Sequence, residues 1–187
     1  MKKLNKNNKG FSLVELLVVI AIMVVLVGVI APSLLSNIEK TRESKDIQAL
    51  DTIAGNIQAA MTNEKVYDAI IKKAGAPILL SAAYTGTAFA TTPDDAGKKL
   101  AALLNDSLNV SAVFDGATFG TDVAAGVDDK KTKLCEGKEV KKALAAGTDK
   151  IYFTVDVTTG RVTVFVSTDG TTTNTRSGKS VEYKVER

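Results

Sequence analysis

The chain has 187 residues, of which 45% are hydrophobic and 24% charged, and its formal net charge is +3. Histidine is absent, which excludes histidine-based catalytic triads and histidine-containing zinc sites. Cys135 is the single cysteine, so the chain cannot form an internal disulfide, and we expect this thiol to be a buried or half-buried small apolar group.

Positive charge is concentrated in the first ten residues, MKKLNKNNKG, which contain four lysines and no acid. Subtracting them from the 24 basic and 21 acidic residues of the whole chain leaves 20 basic and 21 acidic residues, a net charge of −1. This nearly neutral body gives no electrostatic reason to expect nucleic acid as a specific partner. The basic start should hold the N-terminus in the cytoplasm.

Residues 16–31 are all apolar or glycine, which predicts a membrane segment. An ordinary secretory signal has an apolar core of roughly 7–15 residues, followed by a cleavage site of small residues. Here no such site precedes Pro32, and the small residue at a boundary is Gly10, which lies before the apolar run.

These residues resemble the start of type IV pilins and pseudopilins. The resemblance rests on Lys9-Gly10, then Phe11-Ser12-Leu13-Val14-Glu15, then the apolar run, then Pro32. It covers about 50 residues of the chain. It implies that a prepilin peptidase cuts between Gly10 and Phe11 and methylates the new amino group of Phe11. The membrane segment would then stay attached to the mature protein.

Glu15 is a carboxylate at the edge of the apolar run and needs a partner. A charge inside an apolar helix costs on the order of 2.5–3.5 kcal/mol at the bilayer centre, and less near its edge. The resemblance implies that Glu15 pairs with the positive amine of Phe11 in a neighbouring subunit, which fixes the axial register of a filament. The alternative is an interfacial glutamate that reaches the lipid headgroups.

Gly28 and Pro32 form a predicted weak point of the helix. Proline has no N–H to donate to the carbonyl four residues earlier, which belongs to Gly28, and glycine is itself a weak helix former. Filaments in the family often have a partly unwound stretch before this proline. The family's usual glycine position is occupied here by Val24, so either an unwound stretch or a simple kink is expected.

Beyond Pro32 the pattern predicts an amphipathic continuation of the helix over residues 33–62. A helix over residues 11–61 would be about 76 Å long at 1.5 Å per residue, too long for one globular domain. The alternative is an ordinary signal anchor joined to a stalk. Apolar residues recur at steps of three and four: Leu34, Leu35, Ile38, Ile47, Leu50, Ile53, Ala54, Ile57 and Met61. The charged residues between them predict a solvated face: Glu39, Lys40, Arg42, Glu43, Lys45 and Asp46.

A globular head is predicted over residues 63–187, with a short helix over residues 64–73. Thr91-Thr92-Pro93-Asp94-Asp95 predicts a second helix, with threonine as its N-cap and proline in its first turn. That helix should bury leucines 100, 103, 104 and 108.

Strand patterns are concentrated late in the sequence. Residues 151–157 and 162–166, joined by the turn Thr158-Thr159-Gly160, predict a hairpin. Residues 168–180 predict an exposed loop, residues 181–185 a final strand, and residues 110–114 a fourth strand. The fold class is therefore α+β, and the resemblance implies an antiparallel sheet packed on the outer half of the helix. Strand pairing would have to secure the final segment, since no disulfide can.

Other charged clusters favour surface structure over chemistry. The pairs Asp94-Asp95 and Asp128-Asp129 lack the alternating oxygen ligands of a calcium loop, so a helix start and a solvated turn are preferred to a calcium site. Lys130, Lys131 and Lys133 predict a solvated turn rather than a DNA contact.

The resemblance therefore implies a structural subunit of a type IV pilus, and the residues indicate no cofactor and no enzymatic activity. Its partners would be copies of itself, the prepilin peptidase, the pilus assembly platform and, before assembly, membrane lipid. It would be stored as a single-pass protein of the cytoplasmic membrane and then exposed on a surface pilus. Adhesion, twitching motility and DNA uptake are not distinguished. The alternatives are a pseudopilin of a type II secretion or competence system and, from another class, a membrane-anchored binding domain.

Overall fold

The computed structural model describes residues 11–73, 75–120, 123–171 and 182–187. The chain divides after Ile38 into two compact units, and the second comprises Glu39–Arg187. We call this second unit the head. It therefore includes the amphipathic part of the long helix in addition to the predicted domain over residues 63–187.

One helix, α1, runs from Leu13 to Ala60, close to the predicted bounds of residues 11 and 61. It is continuous through Gly28 and Pro32. In the first unit its large side chains, including those of Leu34, Leu35 and Ile38, are exposed. In the head its apolar face is buried: Leu50, Ile53, Ala54, Ile57 and Ala60.

The head contains a four-stranded antiparallel sheet in the order β1-β4-β5-β6. Its strands are β1 (Ile78–Leu79), β4 (Lys150–Val155), β5 (Val162–Ser167) and β6 (Lys184–Glu186). The predicted hairpin is confirmed, since Lys150 pairs with Ser167 and Val155 with Val162. One face of the sheet joins the buried face of α1 in a common core, which confirms the α+β fold.

A second, two-stranded sheet consists of β2 (Thr118–Phe119) and β3 (Ala124–Ala125). Strand β6 overlaps the predicted final strand over residues 181–185 and extends one residue beyond it, to Glu186. Val181 lies outside the described residues. The predicted loop over residues 168–180 is described only as far as Thr171.

Five further α-helices complete the described part of the head: α2 (Glu64–Lys72), α3 (Leu80–Tyr84), α4 (Asp95–Ser107), α5 (Val110–Val113) and α6 (Lys138–Ala146). Helix α2 confirms the predicted short helix. In α4, Leu100 and Leu104 are fully buried, whereas Leu103 and Leu108 pack at the edge of the core.

Two details of these helices correct the sequence prediction. The N-cap of α4 is Asp94, whose Oδ1 accepts a hydrogen bond from Gly97 N at 2.7 Å, so Pro93 precedes the helix and threonine is not the cap. The strand predicted over residues 110–114 is wrong, because Val110–Val113 form α5 and only Phe114 is extended, in an isolated bridge with Thr132. Asn109 Oδ1 accepts from Ser111 N at 2.9 Å and so favours a helical turn over an extended strand.

The predicted solvated face of α1 is also wrong at two positions, since Glu43 and Asp46 are buried. Asp46, with 1% of its surface exposed, accepts hydrogen bonds from Glu136 N at 2.7 Å, Gly137 N at 2.8 Å and Tyr183 Oη at 3.0 Å. We call this arrangement the Asp46 clasp. It joins α1 to the turn before α6 and to the segment that enters β6.

The clasp leaves no room for a side chain at Gly137. A Cβ there would lie 2.2 Å from Tyr183 Oη and 3.0 Å from Asp46 Oδ2. Helix α6 starts after this glycine, which has no side chain to cap the helix. Carboxylates of α1 supply the acceptors instead. Asp46 accepts from Gly137 N, and Glu39 accepts from Lys138 N. Strand pairing of β6 and the clasp together hold the segment that no disulfide secures.

Cys135 is buried beside the clasp, as the sequence predicts. Burial, with the negative charge of Asp46, raises the pKa of its thiol, so the reactive thiolate is disfavoured. The aspartate pairs have local roles: Asp94 caps α4, and Asp128 accepts from Lys130 N at 3.0 Å in a solvated turn. In the described ranges no group of three or more His, Cys, Asp or Glu could hold a metal ion.

Candidate assembly site at the start of the long helix

Helix α1 begins with a variant of the capping box, in which the side chains of the N-cap residue and the third helical residue both accept hydrogen bonds from backbone N–H groups at the helix start. Ser12 is the residue before the helix, and its Oγ accepts a hydrogen bond from Val14 N at 3.3 Å. In return, Glu15 Oε2 accepts from Ser12 N at 2.9 Å. The carboxylate of Glu15 is therefore folded back towards the beginning of the chain.

The capping box satisfies backbone N–H groups that a helix start would otherwise leave open. The first four N–H groups of a helix have no partner within it, and in lipid each unpaired group costs several kcal/mol. The negative charge of Glu15 is also favourable beside the positive end of the helix dipole. Glu15 thus stabilises its own helix start in the isolated subunit, before it meets a neighbouring one.

This local role of Glu15 was not part of the sequence prediction, although the signal is present. A serine followed three residues later by a glutamate, directly before an apolar run, is the sequence signature of a capping box. The prediction considered Glu15 only as a charge that needs an intermolecular partner. The structure adds Ser12 as the residue that orients it.

Of the predicted site residues, Phe11 and Glu15 lie together at the start of α1, with Ser12 between them in sequence. The others are not part of this cluster. Phe11 is 88% exposed and directly precedes Ser12, so an amine on Phe11 would lie one residue from the N–H that holds Glu15. Gly10, the predicted cleavage position, lies outside the described residues. Gly28 and Pro32 are about 20–26 Å further along the helix at 1.5 Å per residue.

Gly28 and Pro32 both have helical backbone, and packing within the subunit does not require a glycine at position 28. No described atom lies within 4 Å of the place that a Cβ would occupy there. The missing N–H of Pro32 leaves the carbonyl of Gly28 without its usual helical donor. That this pair loosens the helix in a filament stays a prediction.

The first unit presents an apolar surface on every side of the helix. Within the described residues, α1 is long and apolar enough to cross a membrane, and none of its most apolar stretch is buried. Contiguous apolar surface of this size is rare on soluble proteins and marks a membrane or protein interface. The large exposed side chains between residues 16 and 30 are Leu16, Leu17, Val18, Val19, Ile20, Ile22, Met23, Val24, Val25, Leu26, Val27, Val29 and Ile30.

Comparison with known proteins identifies this segment. Residues 5–31 match the family model of the prokaryotic N-terminal methylation motif. The match spans the second half of the basic leader, the capping box and the apolar part of the helix. No curated protein matches the chain, and no solved structure does. The chain thus carries a prokaryotic N-terminal methylation motif, the type of start that precursors of type IV pilins and pseudopilins have.

Proposed function

We propose that the protein is the structural subunit of a type IV pilus, cleaved after Gly10, methylated on Phe11 and assembled into a helical surface filament. Before assembly it would lie in the cytoplasmic membrane as a single-pass protein with its N-terminus in the cytoplasm. The observation that carries the proposal is the capped carboxylate of Glu15 beside Phe11, at the start of a helix that is apolar on all sides. The matched motif supports the processing step.

Assembly would transfer the apolar part of α1 from lipid into a bundle of identical helices. Lipid tails are as apolar as the side chains of this segment, so the transfer gains little from the hydrophobic effect. Close packing and charge pairing must therefore supply the specificity. Glu15 is the single charged residue between Phe11 and Ser33, so its pairing with the amine of a neighbouring Phe11 would set the register.

The expected partners follow from this mechanism: further copies of the chain, a prepilin peptidase, an assembly platform in the membrane, and lipid before assembly. The role is structural rather than enzymatic, and it calls for no cofactor. The head would form the outside of the filament.

A pseudopilin of a secretion or competence machine is the second candidate, because the matched motif is shared by both classes. Its N-terminal processing would be the same, but its rod would be short and would not reach the cell surface. Recovery of long filaments by shearing cells distinguishes the two.

The first test is the intact mass and N-terminal sequence of the protein extracted from membranes. A chain beginning at methylated Phe11 supports the proposal. A chain that keeps its leader in cells with an active prepilin peptidase contradicts it and indicates a membrane-anchored binding domain.

The second test is the variant Glu15→Gln, which keeps the size of the side chain but removes the charge. We expect normal cleavage and an almost complete loss of sheared filaments. Glu64→Gln, in the exposed first turn of α2, is the matched control and should assemble normally. Normal filament yield from Glu15→Gln would contradict the assigned role of Glu15.

A further inference from the structure

The head carries a positively charged groove that the proposed assembly does not use. A cavity of about 430 Å³ lies between α1 and α6 and is lined by Arg42, Glu136, Lys138, Lys141, Lys142 and Ala145. All these residues belong to the head unit. Four cations and one acid give this lysine groove a local excess of positive charge, although the head as a whole has 20 basic and 20 acidic residues.

The three lysines lie on one exposed face of α6. Lys138, Lys141 and Lys142 follow the helical spacing of three and four residues, which places such side chains about 5–6 Å apart. None of them forms an ion pair within the part of the chain that the structure describes. Other lysines of the head do, for example Lys65 with Asp95 at 2.9 Å and Lys133 with Asp115 at 3.4 Å.

Repulsion between these lysines opposes the stability of α6. Like charges three or four residues apart on a helix repel each other, and Lys138 also lies in the first turn, where the helix dipole favours acids such as Glu139. The nearby carboxylate of Glu39 is already occupied, since it accepts from Lys138 N and lies 3.7 Å from Arg42. Local arrangements that reduce stability are expected at functional sites.

We propose that the lysine groove binds a linear polymer of phosphate groups. Three ammonium groups offer nine N–H donors along one helix face, and phosphates have enough acceptor oxygens to bind several of them at once. No aromatic side chain is among the described residues that line the groove, so bases would find no stacking surface. The ligand is therefore recognised through its backbone phosphates rather than through nucleobases.

The test uses the full chain in a nonionic detergent, with fluorescently labelled inorganic polyphosphate as the probe. The variant replaces the three lysines: Lys138→Gln, Lys141→Gln and Lys142→Gln. The matched control removes the same charge from exposed lysines of α2 and α4: Lys72→Gln, Lys98→Gln and Lys99→Gln. Both variants keep the lysines of the leader, so a general effect of net charge is the same in each.

We expect the groove variant to bind polyphosphate at least about tenfold more weakly than the control at low salt. Three phosphate contacts also predict that log K falls with log salt at a slope of about −2 to −3 for the unmodified chain, and less steeply for the groove variant. The groove variant should unfold at the same midpoint as the unmodified chain or slightly above it, because its substitutions lie on the surface and relieve repulsion within α6. Its weaker binding would then not result from a loss of folding.

Three results would overturn the proposal. One is no polyphosphate binding by the unmodified chain at low salt, and another is an equal loss of affinity in the groove variant and the control. The third is binding of single-stranded DNA about tenfold tighter than binding of polyphosphate with the same number of phosphates, since this would show that bases are recognised.

Discussion

Removal of the Asp46 carboxylate should destabilise the head more than removal of any exposed acid. In Asp46→Ala, three donors lose their acceptor: the part-buried Glu136 N and the buried Gly137 N and Tyr183 Oη. A buried donor without a partner costs about 1–3 kcal/mol. Part of this cost is offset, because the variant no longer has to bury a charge.

The free energy gained by no longer burying a charge is smaller than the cost of leaving these donors without an acceptor. Burial raises the pKa of Asp46 above its ordinary value of 3.8, although hydrogen bonds from Glu136, Gly137 and Tyr183 act in the opposite direction. The buried charge is therefore partly, not fully, compensated by its donors. A hydrogen bond to a charged group contributes about 1.5–3 kcal/mol, so after the offset we expect Asp46→Ala to cost about 2–4 kcal/mol. Such a loss is a large fraction of the 5–15 kcal/mol that is typical of a whole domain.

The measurement is urea unfolding of the full chain in detergent, followed by near-ultraviolet circular dichroism of the tyrosines. Asp51→Ala is the matched control on the same helix. Its side chain is 46% exposed and lies 3.7 Å from Arg187, and an exposed ion pair of this kind contributes about 0–1 kcal/mol. If Asp46→Ala unfolds at the same urea concentration as Asp51→Ala, the clasp does not stabilise the head and the reasoning is wrong.

The remaining predictions concern the clasp and the helix start. Because burial raises the pKa of Asp46, the folded state binds the proton more tightly than the unfolded chain does. The extra stability that comes from this proton is fully present below 3.8 and is lost as the pH rises through the folded pKa. Urea unfolding should therefore show wild type gaining stability relative to Asp46→Asn on acidification across this window, and a constant difference would contradict it. Gly137→Ala should destabilise the head by about 1–3 kcal/mol, since its Cβ would lie 2.2 Å from Tyr183 Oη, and Tyr183→Phe in the same chain should restore part of the loss. Ser12→Ala should weaken the start of α1 by about 1 kcal/mol and lower filament yield, whereas Ser12→Thr should restore it; equal yields from both would refute a capping role. Gly28→Ala should raise the helix content in detergent, because glycine is less favourable than alanine by roughly 1 kcal/mol, and circular dichroism would measure it.

The elements that could be predicted from the sequence are those with strong local patterns. Helix α1 is predicted to within two residues at each end, because its apolar run and its later periodicity leave little alternative. The β4-β5 hairpin follows from β-branched residues on both sides of the turn at Gly160, which has a positive φ of 70°.

The errors arise where distant residues decide the outcome. Asp46 resembles its solvated neighbours in sequence, and only contacts with residues 90 to 137 positions away bury it. The strand predicted over residues 110–114 fails for a local reason, because the side chain of Asn109 caps a helical turn before an apolar stretch that suits either structure. The lysine groove, like the clasp, could not be predicted, because it is formed by residues far apart in the sequence. Arg42 and Lys141 meet only after folding.

The clasp also determines when the head can finish folding. Asp46, Gly137 and Tyr183 come from widely separated parts of the chain, so the contact that joins them cannot form until Tyr183 has been synthesised and moved to the same side of the membrane as Asp46. Contacts of such high sequence separation form slowly and late. A subunit interrupted before Tyr183 would lack strand β6 and one of the three donors to Asp46. The cell would therefore have a simple criterion, resistance to proteolysis, that separates finished subunits from interrupted ones before either is used.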